Sequence, residues 1–151
     1  MRSIVLLAAL AALLLAAVPA SAQSDHRSAV LDLLRGASRE AAGQGYRTEP
    51  RVFDARSMVG MLPPGGAVVL EANLRAGVRY TVVGVCDSDC ADLDLRAHSP
   101  GGNVVLGEDV NTDDVPVVSF VARDDGPHPI TVVMSECRTE LCYFGVRVLA
   151  R

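Results

Sequence analysis

The chain opens on an unbroken apolar run from Ile4 to Val18, behind Met1-Arg2-Ser3 and ahead of Pro19 and Ala20-Ser21-Ala22. One positive residue, a short apolar stretch and an A-x-A site predict a secretory signal peptide, cleaved after Ala22. The run falls short of the roughly 20 residues a transmembrane helix needs. No Cys follows it to carry a lipid, and no Arg-Arg pair precedes it. Charges interrupt every later apolar stretch, so no membrane span is expected in the mature chain.

Residues 25–43 then follow the helical period. Val30, Leu33, Leu34, Ala37 and Ala41 fall on one face, and Asp32, Arg35, Arg39 and Glu40 on the other. Ser24 or Asp25 can cap the start, and Gly43 or Gly45 can end it. Gly36 in the interior costs about 1 kcal/mol relative to Ala. The helix is therefore expected to depend on docking against the rest of the protein.

From Arg51 onward the period changes to two. Val68, Leu70, Ala72 and Leu74 alternate with other residues. Val78–Cys86 is rich in β-branched residues, and in 92–98 Leu93, Leu95 and Ala97 alternate with charge. Residues 103–106, 115–122, 129–135 and 142–149 are further strand candidates. Pro63-Pro64-Gly65-Gly66, Arg75-Ala76-Gly77, Ser99-Pro100-Gly101-Gly102 and Asp124-Asp125-Gly126-Pro127 separate them as turns. Short strands at this spacing, with no helices between them, predict an all-β fold: an antiparallel jelly-roll-like β-sandwich of about seven to nine strands, preceded by one N-terminal α-helix. The expected organisation is a signal peptide at 1–22, helix and linker at 23–50, and the sandwich at 51–151.

The formal net charge is −4, and all 14 cationic residues are arginine. Cleavage after Ala22 would remove only one of these charges, Arg2. A mildly acidic chain lacks the basic footprint that nucleic acid requires.

All four cysteines, Cys86, Cys90, Cys137 and Cys142, follow the leader. In an exported protein an even number predicts disulfides rather than a zinc site. Each pair flanks a short turn, here expected as a hairpin tip, so Cys86–Cys90 and Cys137–Cys142 are the preferred pairs; spacing alone leaves three pairings open. Loops this short add about 2 kcal/mol each by chain entropy. A redox role would want C-x-x-C at a helix start, which neither pair has.

The stretch Cys86–Asp114 holds Asp87, Asp89, Asp92, Asp94, Glu108, Asp109, Asp113 and Asp114 against a single Arg96. Calcium takes six to eight oxygens, so Asp87, Asp89, Asp92, Asp94, Asp109, Asp113 and Asp114 are candidate ligands. Asp109-Val-Asn111-Thr-Asp113 begins like an EF-hand loop but continues with Asp114 at the sixth position and Phe120 at the twelfth. The alternative reading is a solvated acidic rim of turn-forming Asp residues. Asp92 and Asp94 share one strand face. They read as the outer face of an edge strand rather than as a general acid/base pair.

His26, His98 and His128 are scattered and expected in loops or near termini, and no G-x-S-x-G elbow is present. No catalytic residue is assigned, and an enzyme is not expected. Tyr46, Tyr80, Tyr143, Phe53, Phe120 and Phe144 sit where a core would want them, which leaves few aromatics for a sugar platform.

Four stretches carry a family resemblance: Leu74-Arg-Ala-Gly77-Val-Arg-Tyr80-Thr-Val-Val, Asp92-Leu-Asp94-Leu, Ser99-Pro-Gly-Gly-Asn103, and Asp113-Asp-Val-Pro116-Val-Val-Ser-Phe120. Over roughly residues 65–150 the chain resembles the bacterial pre-peptidase C-terminal domain. That resemblance implies a jelly-roll-type sandwich acting as a non-catalytic accessory domain. It also implies that Asp92 and Asp94 match the acidic positions with which some related domains bind calcium. The chain departs from the family in three ways. It carries no peptidase domain, it adds two Cys pairs, and it reads Gly126-Pro-His128-Pro where Gly-x-Tyr is usual.

The expectation is thus a periplasmic or secreted binding or accessory module whose partner is an envelope or secreted protein. A calcium-stabilised structural domain and a small hydrolase with a scattered site are the alternatives.

Overall fold

A computed structural model of the protein describes residues 20–49 and 59–151. The apolar run and Phe53 lie outside them. Of the expected leader only Ala20–Ala22 are described, and they begin helix α1, Ala20–Gly43. Strands follow at β1 Arg47–Thr48, β2 Val59–Leu62, β3 Ala67–Leu74, β4 Arg79–Cys86, β5 Cys90–His98, β6 Val105–Asp109, β7 Val117–Val121, β8 Gly126–Cys137 and β9 Cys142–Ala150.

The strands form two antiparallel sheets. One has the order β1-β9-β4-β7, with β2 also pairing β9; the other runs β3-β8-β5-β6. β1 and β2 follow one another along the same side of β9, pairing Leu149–Ala150 and Cys142–Gly145 respectively. With β1 set aside, the eight strands switch sheets at every connection except the β5–β6 hairpin, which is the double Greek-key order of a jelly roll. The fold is the expected β-sandwich with one N-terminal helix. The short strands β1 and β2 were not anticipated, and β1 draws the linker into the sheet.

Alternation explains the core. Leu70, Ala72 and Leu74, then Leu93, Leu95 and Ala97, then Ile130, Val132 and Met134 face inward from one sheet. Tyr80, Val82, Val118, Phe120, Phe144, Val146 and Val148 meet them from the other. β4 is buried along both faces from Tyr80 to Cys86, because its outward Val83 and Val85 lie beneath the helix with Leu149. A strand covered on both sides reads as a continuous apolar run, which is how Val78–Cys86 appears in the sequence.

Helix α1 buries Val30 and Leu34 completely on this outer face, worth about 1.5–3 kcal/mol each. Gly145 permits the close approach: a Cβ there would lie 2.7 Å from Val30 Cγ1 and 2.8 Å from Leu34 Cδ1. The helix ends in a Schellman turn. Gly45, at φ +84°, donates its N–H to Ala42 C=O, and Tyr46 donates to Ala41 C=O. Leu33, expected on the buried face, is instead 45% exposed. Val30, Leu34, Ala37 and Ala41 make a narrow stripe at spacings of four, three and four, and Leu33 lies off its edge.

Candidate functional site

The outer face of the helix-bearing sheet is only partly covered. Helix α1 packs over β9 and β4 and leaves the edge strand β7 open beside it. β7 turns Val118 and Phe120 into the core and Val117, Ser119 and Val121 outward. A groove runs between helix and strand. Its floor is Thr81, Val83 and Val85 of β4. One wall is Ala29, Leu33, Gly36, Ala37 and Glu40; the other is Asp114, Val115, Val117 and Ser119. It comprises two adjoining recesses of ≈ 700 and ≈ 260 Å³ that share Ala37, Glu40 and Val115. Leu33, Val115 and Val117 are 45%, 42% and 47% exposed, an apolar surface that none of the described residues covers. The hydroxyls of Thr81 on the floor and Ser119 on the β7 wall bond each other at 2.7 Å. Sequence reading missed this groove, because it arises only when the helix docks on two of the strands and stops short of the third.

One end of the groove meets the disulfides. The structure pairs Cys86–Cys90 and Cys137–Cys142, each with Cα atoms 5.9 Å apart. Neither pair closes a hairpin, contrary to expectation. β4 and β5 belong to opposite sheets, as do β8 and β9, so both staples lie on crossovers between the sheets at the same end of the sandwich. Asp87, 3% exposed, ties the first crossover to the start of β9. Its Oδ1 accepts from Asp89 N–H and its Oδ2 from Tyr143 N–H. His26 of the helix lies 3.2 Å from Oδ2 through Nδ1. Arg138 completes the clasp by donating its backbone N–H to Asp89 C=O and its guanidinium to Ser88 C=O.

The candidate calcium ligands are not brought into one set. Asp87 and Asp89 sit on the first crossover, and Asp92 and Asp94 on the outer face of the other sheet. Asp109, Asp113 and Asp114 lie in and after β6. Among the described residues, no three His, Cys, Asp or Glu side chains have the geometry to hold a metal ion. Asp109 instead accepts from Asn111 and from Val117 N–H, and Asp113 from Val115 N–H, the turn-forming use of Asp. Their oxygens do not fit a single calcium shell.

Asp92 and Asp94 do share the outward face while Leu93 and Leu95 are buried. β5 lies between β8 and β6, but β6 pairs it only from Leu95 onward, so among the described strands Asp92 and Asp94 have β8 alone as neighbour. Asp94 accepts a hydrogen bond from Ser135 at 2.6 Å. Asp92 Oδ1 is buried with no hydrogen-bond partner among the described residues. Burial, then neighbouring Asp94, with Asp113 and Glu136 adding, holds the Asp92 carboxyl above its ordinary range, against a hydrogen bond from the Asp113 backbone.

The histidines stay apart. His26 pairs with Asp87, and His98 Nε2 lies 3.3 Å from Thr131 Oγ1. His128, expected in a loop, is completely buried within β8 and stacks on Phe120. None of the three is hydrogen-bonded to a serine or cysteine among the described residues.

No protein-family model matches the chain, and no curated protein matches it in sequence. Among solved structures it is similar to that of Aeromonas hydrophila PliG, described as a periplasmic lysozyme inhibitor of g-type lysozyme. The TM-score is 0.46 and the identity 13%, over 66% of this chain and 91% of that one.

Proposed function

We propose that this chain is an exported, non-catalytic binding module whose ligand surface is the groove between α1 and β7, and that its partner is an envelope or secreted protein. The observation that carries this reading is the open apolar groove itself. Leu33, Val115 and Val117 stand exposed around adjoining recesses with a buried floor and one disulfide-held end. Apolar surface gathered in a concavity rather than scattered marks an interaction site. Support also comes from the two crossover disulfides, which suit an oxidising compartment and stiffen the end of the groove. A rigid, preformed surface loses little freedom on binding.

The test is comparative capture from a cell-envelope extract, followed by mass spectrometry. The native chain retains a partner in stoichiometric amount, and Leu33→Asp, which alters an exposed position, loses it. Equal capture by both proteins would contradict the reading.

A further inference from the structure

Resting on that reading, we propose that the segment the groove receives is cationic: a stretch of partner protein with apolar residues toward the floor and Arg or Lys along its flanks. Among the described residues, the charged ones lining the two recesses are Asp32, Glu40, Asp87 and Asp114, and no Arg, Lys or His lines either. Two of these carboxylates are already engaged, Asp32 with Arg35 and Asp87 with His26 and backbone N–H groups. Glu40 and Asp114 stand on opposite walls, and neither has an ion-pair partner among the described residues. A cationic segment lying in the groove would meet one carboxylate on each side. A second copy of this chain would not supply that complement, because the chain carries a net charge of −4 and like charges across an interface oppose docking.

Gly36 points independently to an occupant. It lines the larger recess, its φ is not positive, and a Cβ built on it meets nothing within 4 Å. Neither backbone conformation nor internal packing requires glycine there, although glycine weakens a helix interior. What its missing side chain provides is width in the groove. Alanine at this position should raise Tm by about 3 °C, whereas a large side chain should fill the recess without touching the core.

The experiment selects a random 12-residue peptide library on the disulfide-intact native chain and discards peptides that also bind Gly36→Phe. Thermal melts check that this variant folds, and the equally neutral Val115→Tyr, at another exposed position, replaces it if it does not. The retained peptides are expected to combine apolar residues with Arg or Lys. Their affinity should fall about tenfold in the Glu40→Gln/Asp114→Asn double variant and weaken as salt is added. Retained peptides that are neutral or acidic, or insensitive to the double variant, would overturn the cationic assignment and leave the groove as a binding surface. Finding no peptide that distinguishes native from groove-blocked protein would overturn both.

Discussion

Asp87 and Tyr143 are joined by two hydrogen bonds. The Asp87 N–H donates to the Tyr143 carbonyl at 3.0 Å, and the Tyr143 N–H donates to Asp87 Oδ2 at 3.0 Å. Asp87 lies on the first crossover and Tyr143 in β9, directly after the second, so this contact ties the stapled end of the sandwich to the helix-bearing sheet. Asp87→Ala leaves the N–H groups of Tyr143 and Asp89 without their acceptor and should cost about 2–3 kcal/mol in chemical denaturation. Asp87→Asn keeps one acceptor oxygen and should cost less. Equal stability of all three proteins would show that the clasp does not hold the end together.

Gly145 sets the height of the helix above the sheet. Gly145→Ala drives a methyl group into Val30 and Leu34 and should destabilise by about 1–3 kcal/mol. Because the clash is on the outer face, the loss should fall on helix docking first. Limited trypsin digestion should cut faster at Arg27, Arg35 and Arg39, while the sandwich fragment persists. Unchanged cleavage there would place the helix elsewhere.

Asp92 gives a pH dependence with a definite sign. Its folded-state carboxyl is held above 3.8, first by burial and then by Asp94, so the native state binds its proton more tightly than the unfolded chain does. Its contribution to stability therefore falls as pH rises from about 3.8 through the raised value. Asp92→Asn removes that penalty. It should raise Tm at neutral pH and make no difference near pH 3, where both states are protonated. A lowered Tm at neutral pH would mean that the ionised carboxylate is held by a favourable partner.

Calcium should leave the fold unmoved. The oxygens of Asp109 and Asp113 are engaged by local N–H groups, and Asp87 by the crossovers, so no shared shell is in place. The expected melt is the same with millimolar calcium as with chelator. A rise of several degrees would show that the acidic loops regroup around the ion.

The strands were legible because one face of each meets a single core: the alternation of Leu70, Ala72, Leu74 or of Leu93, Leu95, Ala97 needs nothing but the sheet itself. Side chains whose setting depends on a distant element were less so. Leu33 satisfies helical spacing as well as Leu34 does, and only the docked orientation of the helix separates them. His128 lies between Pro127 and Pro129, which suggests a loop. Yet β8 pairs β5 only from Ile130 onward, so both prolines fall where the strand has lost that neighbour and needs no N–H on that side. The cysteine pairs read as hairpin staples because a short turn looks the same whether the next strand joins the same sheet or the opposite one. The groove was illegible for the same reason: its walls, Gly36 and Val115, are far apart in the chain.

The most direct measurement compares the affinity of native protein and Gly36→Phe for one captured partner, or for one peptide selected on the native protein alone, with Tm recorded for both. The account predicts a loss of at least about tenfold, 1.4 kcal/mol, at an undiminished Tm. Equal affinity in a folded Gly36→Phe protein would contradict it, and binding would then have to be sought on another face.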